Sequence, residues 1–88
     1  MVKIIEKKTT PELFSEVLSG KKTFEVRLAD WKCEENDTLI LREWDPKKKK
    51  YTGRSIKKRA GYILKTKDLR FFDEKEIQKH GFQIISLE

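Results

Sequence analysis

The sequence predicts an α+β, mainly β, fold: a small mixed barrel of about five strands with one principal helix packed over one opening. Three observations support this prediction. The 88 residues are enough for one domain, 1–88, with a modest core. One segment has helical apolar spacing, and several short runs are rich in β-forming residues. Because these elements are too few for two independent layers, a curled sheet under one helix is the economical arrangement.

The first two elements are a strand over residues 2–7 and a helix that ends near Ser19. Pro11 lies in the first turn of this helix, where its missing N–H costs nothing, and Gly20 can adopt the left-handed conformation that ends a helix. The apolar stripe of the helix consists of Leu13, Phe14, Val17 and Leu18.

After Gly20 the period changes to two, which predicts a strand over residues 22–28. We expect its apolar face to pack against the core, which leaves Glu25 and Arg27 on the accessible face. Lys21 and Lys22 then lie at the helix–strand junction. These charges either form an ordinary ion pair or line a binding site, and both interpretations remain open. The apolar face carries Phe24, Val26 and Leu28.

The middle of the chain predicts a hairpin. Residues 29–37 form a loop, and residues 38–44 are rich in strand-forming residues. Asp45 and Pro46 then open a turn whose tip is the run of four lysines at 47–50.

The end of the chain predicts two further strands. Residues 55–64 are extended, with Gly61 as a bulge or bend. Asp73 caps a short helix over 74–79, Gly81 ends it, and residues 82–87 form the last strand. The predicted core consists of Leu13, Phe14, Val17, Phe24, Val26, Leu39, Leu41, Ile63, Phe82 and Ile84.

The charge, the apolar content and the Cys and His residues of the chain narrow the classes of function that it can have. The net charge is +6, and residues 42–70 hold twelve Lys or Arg against three acids, which favours a nucleic-acid partner; the alternative for the lysine run is a solvated turn. No apolar run approaches the ~20 residues that span a bilayer, so we expect a cytoplasmic protein without membrane contact. We also expect a monomer. Cys33 and His80 have no zinc-site spacing, and we expect neither metal nor cofactor.

The run GKKTFEVR at 20–27, the strand TLILREWD at 38–45, the YTGR at 51–54 and the final GFQIISL resemble the ASCH (activating signal cointegrator homology) group of the PUA-like superfamily. The likeness is to its small stand-alone prokaryotic and phage branch. Trp31 stands where that group commonly has Arg, and Asn36 replaces a Gly, although Asn can also adopt a positive φ.

The resemblance implies a PUA-like fold and a cleft lined by the G-x-K-x-x-E-x-R motif. It implies a module that binds RNA, favoured over DNA, or a modified nucleoside. The implied ligand-binding residues, some from the basic hairpin, are Lys21, Lys22, Glu25, Arg27, Trp31, Arg42 and Arg54, with Trp31 or Trp44 as stacking surfaces.

The alternative is an ASCH-type hydrolase, acting on acylated cytidine or as a ribonuclease through Lys22 and Glu25. The family's catalytic Thr position is occupied here by Glu25. Glu25 would then act as base and Lys22 would stabilise an oxyanion. A protein-interaction domain is a third hypothesis, but the sequence shows no exposed apolar stripe to support it.

Overall fold

The computed structural model describes residues 2–68 and 75–88. The elements follow in the order β1 (Ile4–Thr9), α1 (Pro11–Leu18), β2 (Phe24–Leu28), β3 (Thr38–Asp45), β4 (Lys50–Lys65), a 3-10 turn (Thr66–Asp68), α2 (Lys75–Lys79) and β5 (Phe82–Leu87). This is the predicted mainly β α+β fold, and β5 has the predicted bounds. The predicted helix cap Asp73, with Glu74, lies outside the described residues.

The five strands form one mixed sheet in the order β1-β3-β4-β5-β2. β1 runs parallel to β3, and the other neighbours are antiparallel. The long strand β4 joins two halves of the sheet, because it pairs with β3 as far as Arg59 and with β5 from Ala60 onward. Its pairing with β5 shifts between Ala60 and Ile63, so the irregularity predicted at Gly61 is present.

The sheet is not closed into the predicted barrel, because β1 and β2 remain its edge strands. A single side chain bridges these edges in the described part of the chain: Arg27 Nη2 donates a hydrogen bond of 2.8 Å to the carbonyl of Lys8. Closure would require a continuous backbone ladder between β1 and β2. A cleft separates the two strands instead.

The core lies between the inner face of the sheet and α1. Of the predicted core residues, Phe14, Val17, Leu39 and Leu41 are buried, while Ile63 and Ile84 are half-buried. Within the part of the chain that the structure describes, the other buried apolar residues are Cys33, Ala60, Ile85 and Leu87.

The predicted orientation of β2 is wrong. The alternation is present, but Phe24, Val26 and Leu28 are 48%, 49% and 51% exposed, whereas Glu25 is 4% exposed. The inner positions of β2 face the cleft at the sheet edge, where neighbouring cations pair with the carboxylate of Glu25. Burial of this charge is therefore compensated.

Two further predicted core residues are exposed for related reasons. Leu13 is 47% exposed because it forms part of the cleft wall. Phe82 is 38% exposed because it pairs with Leu28 on the outer face of the sheet.

The beginning of β3 is fixed by the buried carboxylate of Asp37. It accepts hydrogen bonds from Lys3 N at 3.0 Å, Lys3 Nζ at 2.7 Å and Glu34 N at 2.9 Å. The bond from the Lys3 ammonium, followed by that from the Glu34 amide, lowers the pKa of Asp37 to about 2. Asn36 has a φ of 76°, so it does supply the positive-φ turn before Asp37.

None of the helices in residues 2–68 and 75–88 has the length and apolar character that crossing a membrane requires.

Candidate functional site

A cleft of about 380 Å³ lies between the edge strands β1 and β2, beside the N-terminus of α1. Its volume is in the range of small-ligand pockets. One part of the wall is apolar and the rest carries hydroxyl and charged groups. The wall is formed by Lys8, Thr9, Thr10, Leu13, Lys22, Glu25, Val26 and Arg27.

Three charged side chains of the predicted motif meet in this cleft. Lys22 Nζ lies 2.9 Å from Glu25 Oε1, and Arg27 Nε lies 2.6 Å from Glu25 Oε2. The side chains of Lys22, Glu25 and Arg27 are 14%, 5% and 26% exposed. The structure therefore brings these three predicted site residues together as one ion-paired group, hereafter the cleft triad.

The cleft triad carries one more positive than negative charge. Both carboxylate oxygens of Glu25 already accept charge-assisted hydrogen bonds. Lys22 also donates to the carbonyl of Phe24 at 2.6 Å, and Arg27 donates to that of Lys8. Because an ammonium has three N–H groups and a guanidinium has five, the contacts within the described residues leave N–H groups available to a ligand on both cations. Such a group suits an anion or a carbonyl oxygen.

Local sequence explains how Lys22 reaches the cleft. Gly20 has a φ of 87°, which ends α1 with a left-handed residue. The backbone N–H of Lys22 then donates 3.0 Å to the carbonyl of Glu16, which ties the junction back to the helix. Lys21, predicted as a ligand residue, is exposed and lies outside the cleft wall.

A third buried carboxylate, Glu43, lies on the inner face of β3. Arg54 binds it in a bidentate manner, with Nε–Oε1 and Nη2–Oε2 distances of 2.9 Å, and Thr52 Oγ1 donates to Oε1 at 2.6 Å. The Arg54 guanidinium, followed by the Thr52 hydroxyl, lowers the pKa of Glu43. The predicted ligand residue Arg54 is thus engaged in an internal ion pair, which also positions it 5.0 Å from the Phe14 ring.

Aromatic and cationic side chains cover the outer face where β1, β3 and β4 meet, hereafter the cationic face. Trp44 and Tyr51 make an edge-to-face contact with ring centroids 5.0 Å apart. Lys8 Nζ lies 3.8 Å from the Trp44 ring centroid, and the predicted ligand residue Arg42 lies 3.8 Å from that of Tyr51. Lys8 also belongs to the cleft wall, so it connects the cleft to the base of the hairpin.

The turn of the lysine hairpin is held by Asp45, whose Oδ1 accepts the backbone N–H groups of Lys47 and Lys48 at 2.9 and 3.2 Å. The side chains at 47–50 are exposed. The Asp45 carboxylate thus holds the turn, and the four lysine charges are free to face solvent.

Trp31 is not in the cleft wall. It packs against the core cluster beneath Lys7, whose Nζ lies 3.9 Å from the ring centroid. Its carbonyl accepts Gln83 Nε2 at 3.2 Å. Gln83 is fully buried, and its Oε1 has no hydrogen-bond partner among the described residues.

Sequence reasoning missed Thr9, Gln83 and Glu43. A signal was present for Glu43, because it continues the inward alternation of Leu39 and Leu41 along β3. Gln83 could have been found in the same way, because alternation along β5 places it on the same inward face as Ile85. Polar residues at such inward positions require internal partners.

The fold and site define a class: small mainly β domains with an open mixed sheet and a charged cleft between its edges. Residues 4–85 match the model of a domain of unknown function, DUF3850, and the chain belongs to that family. It is 44% identical over 68 residues to the uncharacterized 12.9 kDa protein in the GpA 3′ region of Escherichia phage P2. That match covers 77% of this chain and 61% of the phage protein, so the chain spans less than two thirds of its relative.

The fold is also similar to the crystal structure of the hypothetical protein PH0355. The TM-score is 0.65 with 19% sequence identity, and the match covers 99% of this chain and 98% of the other. At this identity the likeness shows the fold alone.

Proposed function

We propose that this domain binds RNA or a modified nucleoside in the cleft, with the neighbouring basic hairpin contacting the phosphate backbone. The observation that carries the proposal is the cleft triad: two cations are held by one buried carboxylate in a pocket of about 380 Å³ and retain N–H donors. We also propose that the chain belongs to the ASCH group and has a PUA-like fold, because its sequence motifs resemble those of that group.

The cleft wall matches the chemistry of a nucleotide. Leu13 and Val26 offer apolar surface to a base or ribose ring. Lys22 and Arg27 offer donors to phosphate or base carbonyl oxygens. Single-stranded RNA suits such a cleft, because unpaired bases can enter pockets that a duplex cannot. The preference for RNA over DNA rests on the resemblance to PUA-like domains.

The cationic face extends this proposed site. Lys8 lies in the cleft wall and its ammonium covers Trp44, so a strand that leaves the cleft meets Trp44 and Tyr51 next. Aromatic rings interleaved with cations form stacking platforms for single strands. The four lysines of the hairpin tip then neutralise phosphates further along the strand.

A hydrolase is the second candidate. Thr9 and Thr10 line the same cleft as Lys22, and Thr10 makes no side-chain cap hydrogen bond to α1. A hydroxyl near a lysine suits acyl transfer. Glu25 is less suited to act as a base, because both of its oxygens accept hydrogen bonds from cations.

One experiment separates the two candidates. The full chain is titrated with short single-stranded RNA, the matching DNA, duplex RNA and acylated cytidine, and the same mixtures are analysed for cleavage products. Saturable binding that is tightest for single-stranded RNA, with every ligand recovered intact, supports the binding module. Turnover of acylated cytidine or RNA that is lost in Thr10→Val supports the hydrolase. Equal binding to every nucleic acid, without turnover, contradicts both.

A further inference from the structure

An uncharged apolar surface covers the outer face of the second half of the sheet, where β4, β5 and β2 lie side by side. The register pairs Phe24 with Ser86, Val26 with Ile84 and Leu28 with Phe82, and Leu64 pairs with Ile84 from the other side. Alternation adds Tyr62 of β4, which is 67% exposed. This apolar face consists of Phe24, Val26, Leu28, Tyr62, Leu64, Phe82, Ile84 and Ser86, and it meets the cleft at Val26, which also lines the cleft wall.

The composition of the apolar face is unusual for this chain. Charged residues make up 41% of the sequence, yet none of the eight side chains on this face is charged. Within this face a nucleic acid would find no phosphate contact, and the Lys22 ammonium, 5.1 Å from the Phe24 ring centroid, lies at its border with the cleft. Contiguous exposed apolar surface on a soluble domain marks a protein interaction site.

We propose that the apolar face binds the same face of a second copy of this chain, forming a two-fold symmetric dimer in place of the monomer expected from the sequence. Each chain carries a net charge of +6, so two copies repel each other wherever their basic regions meet. The apolar face allows contact without opposing charges. A two-fold axis would place this face against its own copy, so no like charges carried by the face would oppose each other.

Charges at the ends of β2 favour the same arrangement. Lys21 precedes the strand and Asp30 follows it, and both are exposed. A two-fold axis that packs the faces together with reversed strand directions brings the Lys21 end of one copy toward the Asp30 end of the other. The cationic face and the hairpin tip lie on the first half of the sheet and are not part of this interface.

The size of the patch predicts a weak dimer. Five side chains near half exposure present on the order of 400 Å² per copy, about half of what a standard interface buries per partner. We therefore expect a concentration-dependent equilibrium. This inference does not depend on the proposed nucleic-acid function.

Sedimentation equilibrium of the full chain, freed of nucleic acid, tests the proposal over a range of protein concentrations. We expect the apparent mass to rise from the chain mass of 10.5 kDa toward twice that value, at high as well as low salt, because salt screens the repulsion between copies. Leu28→Glu places a charge in the interface and raises the dimer dissociation constant at least about tenfold. Leu28→Ser is the milder second variant if Leu28→Glu does not fold.

The matched control is Leu18→Glu. Leu18 is 54% exposed on α1, close to the 51% of Leu28, and lies outside the apolar face. We expect the dimer of Leu18→Glu to be as stable as that of the unmodified chain. A monomer mass at every concentration overturns the proposal, as does equal weakening by the two Glu variants. Association that salt abolishes would indicate an electrostatic contact and also overturns it.

Discussion

Glu25 organises the cleft because, among the described residues that line the cleft wall, it is the only acid. It is 4% exposed, and each of its oxygens accepts a hydrogen bond from a different cation. Desolvation of a carboxylate is costly unless it is paired in this way. Lys22 and Arg27 are in turn held in position by the carboxylate, so binding geometry and stability depend on the same residue.

The first prediction follows from that dependence. Glu25→Gln removes the charge that compensates two partly buried cations, and we expect the free energy of unfolding to fall by about 3 kcal/mol. Urea unfolding followed by circular dichroism measures this loss. Glu35→Gln is the control, because Glu35 is an exposed loop residue, and its effect should stay within about 0.5 kcal/mol. Equal stability of the two variants would show that Glu25 is not a structural centre of the cleft.

The second prediction concerns Asp37. Its folded pKa of about 2 lies below the ordinary value of 3.8, so its ionised form stabilises the fold above pH 3.8. That contribution is lost as the pH falls from 3.8 through about 2. Urea unfolding of the unmodified chain and Asp37→Asn across this range should show a stability difference that is constant at higher pH and shrinks in acid. Asp30→Asn, at an exposed loop position, is the control. A difference that stays the same down to pH 2 would contradict the assignment.

At the scale of elements, the β3–β4 hairpin explains the YTGR motif. Glu43 faces an irregularity in β4, since Arg42 pairs with Ser55 but Trp44 pairs with Tyr51. Gly53 occupies this bulge with a φ of 97°. The bulge turns the residues on both sides of Gly53, Thr52 and Arg54, toward the same buried carboxylate.

The third prediction tests this bulge. Gly53→Ala must place a Cβ in the left-handed region, and we expect a loss of about 1–2 kcal/mol in unfolding free energy, although no atom lies within 4 Å of the added Cβ. The loss is measured by urea unfolding. Ser55→Ala, two residues along the same strand, should have a smaller effect. If Gly53→Ala is as stable as the unmodified chain, the positive φ is not what the motif requires.

The fourth prediction concerns the hairpin tip. Replacing the four lysines at 47–50 with Gln should flatten the dependence of log affinity for single-stranded RNA on log salt, by about 0.7 of a unit for each phosphate that the lysines no longer neutralise. Fluorescence anisotropy at several salt concentrations measures the slope. A charge-matched control replaces Lys32, Lys67, Lys75 and Lys79, all of them exposed. If both variants change the slope equally, the tip acts only through net charge.

Most of the helices and strands could be predicted from the sequence, because apolar periodicity and the turn-forming Gly, Pro and Asp residues act on their sequence neighbours. The helix end at Gly20 and the bounds of β5 are examples. The face of β2 could not be predicted, because alternation defines two faces without saying which is buried. Here the decision depends on distant partners, such as the Lys8 carbonyl that Arg27 reaches. For the same reason the sequence could not show that Arg54 is paired with Glu43.

At the scale of the whole molecule, the sheet carries three surfaces, and the cleft and the apolar face meet at Val26, which belongs to both. The cleft between the edge strands holds the cleft triad, the first half of the sheet presents the cationic face, and the second half presents the apolar face. The sequence predicts the members of the cleft triad. It also predicts that the apolar side of β2 packs in the core, whereas the structure buries the side that carries Glu25. That reversal moves Phe24, Val26 and Leu28 to the surface and creates the apolar face.

The central claim is that the cleft binds a strand of RNA, and two charge-matched variants on one helix test it most directly. Leu13→Glu places a negative charge in the cleft wall, and Leu18→Glu places the same charge elsewhere on α1. Both leucines are about half exposed, at 47% and 54%, so neither change should unfold the domain. Anisotropy titration with a short single-stranded RNA should show affinity reduced at least about tenfold in Leu13→Glu and nearly unchanged in Leu18→Glu. Equal affinities for the two variants would contradict a ligand in the cleft.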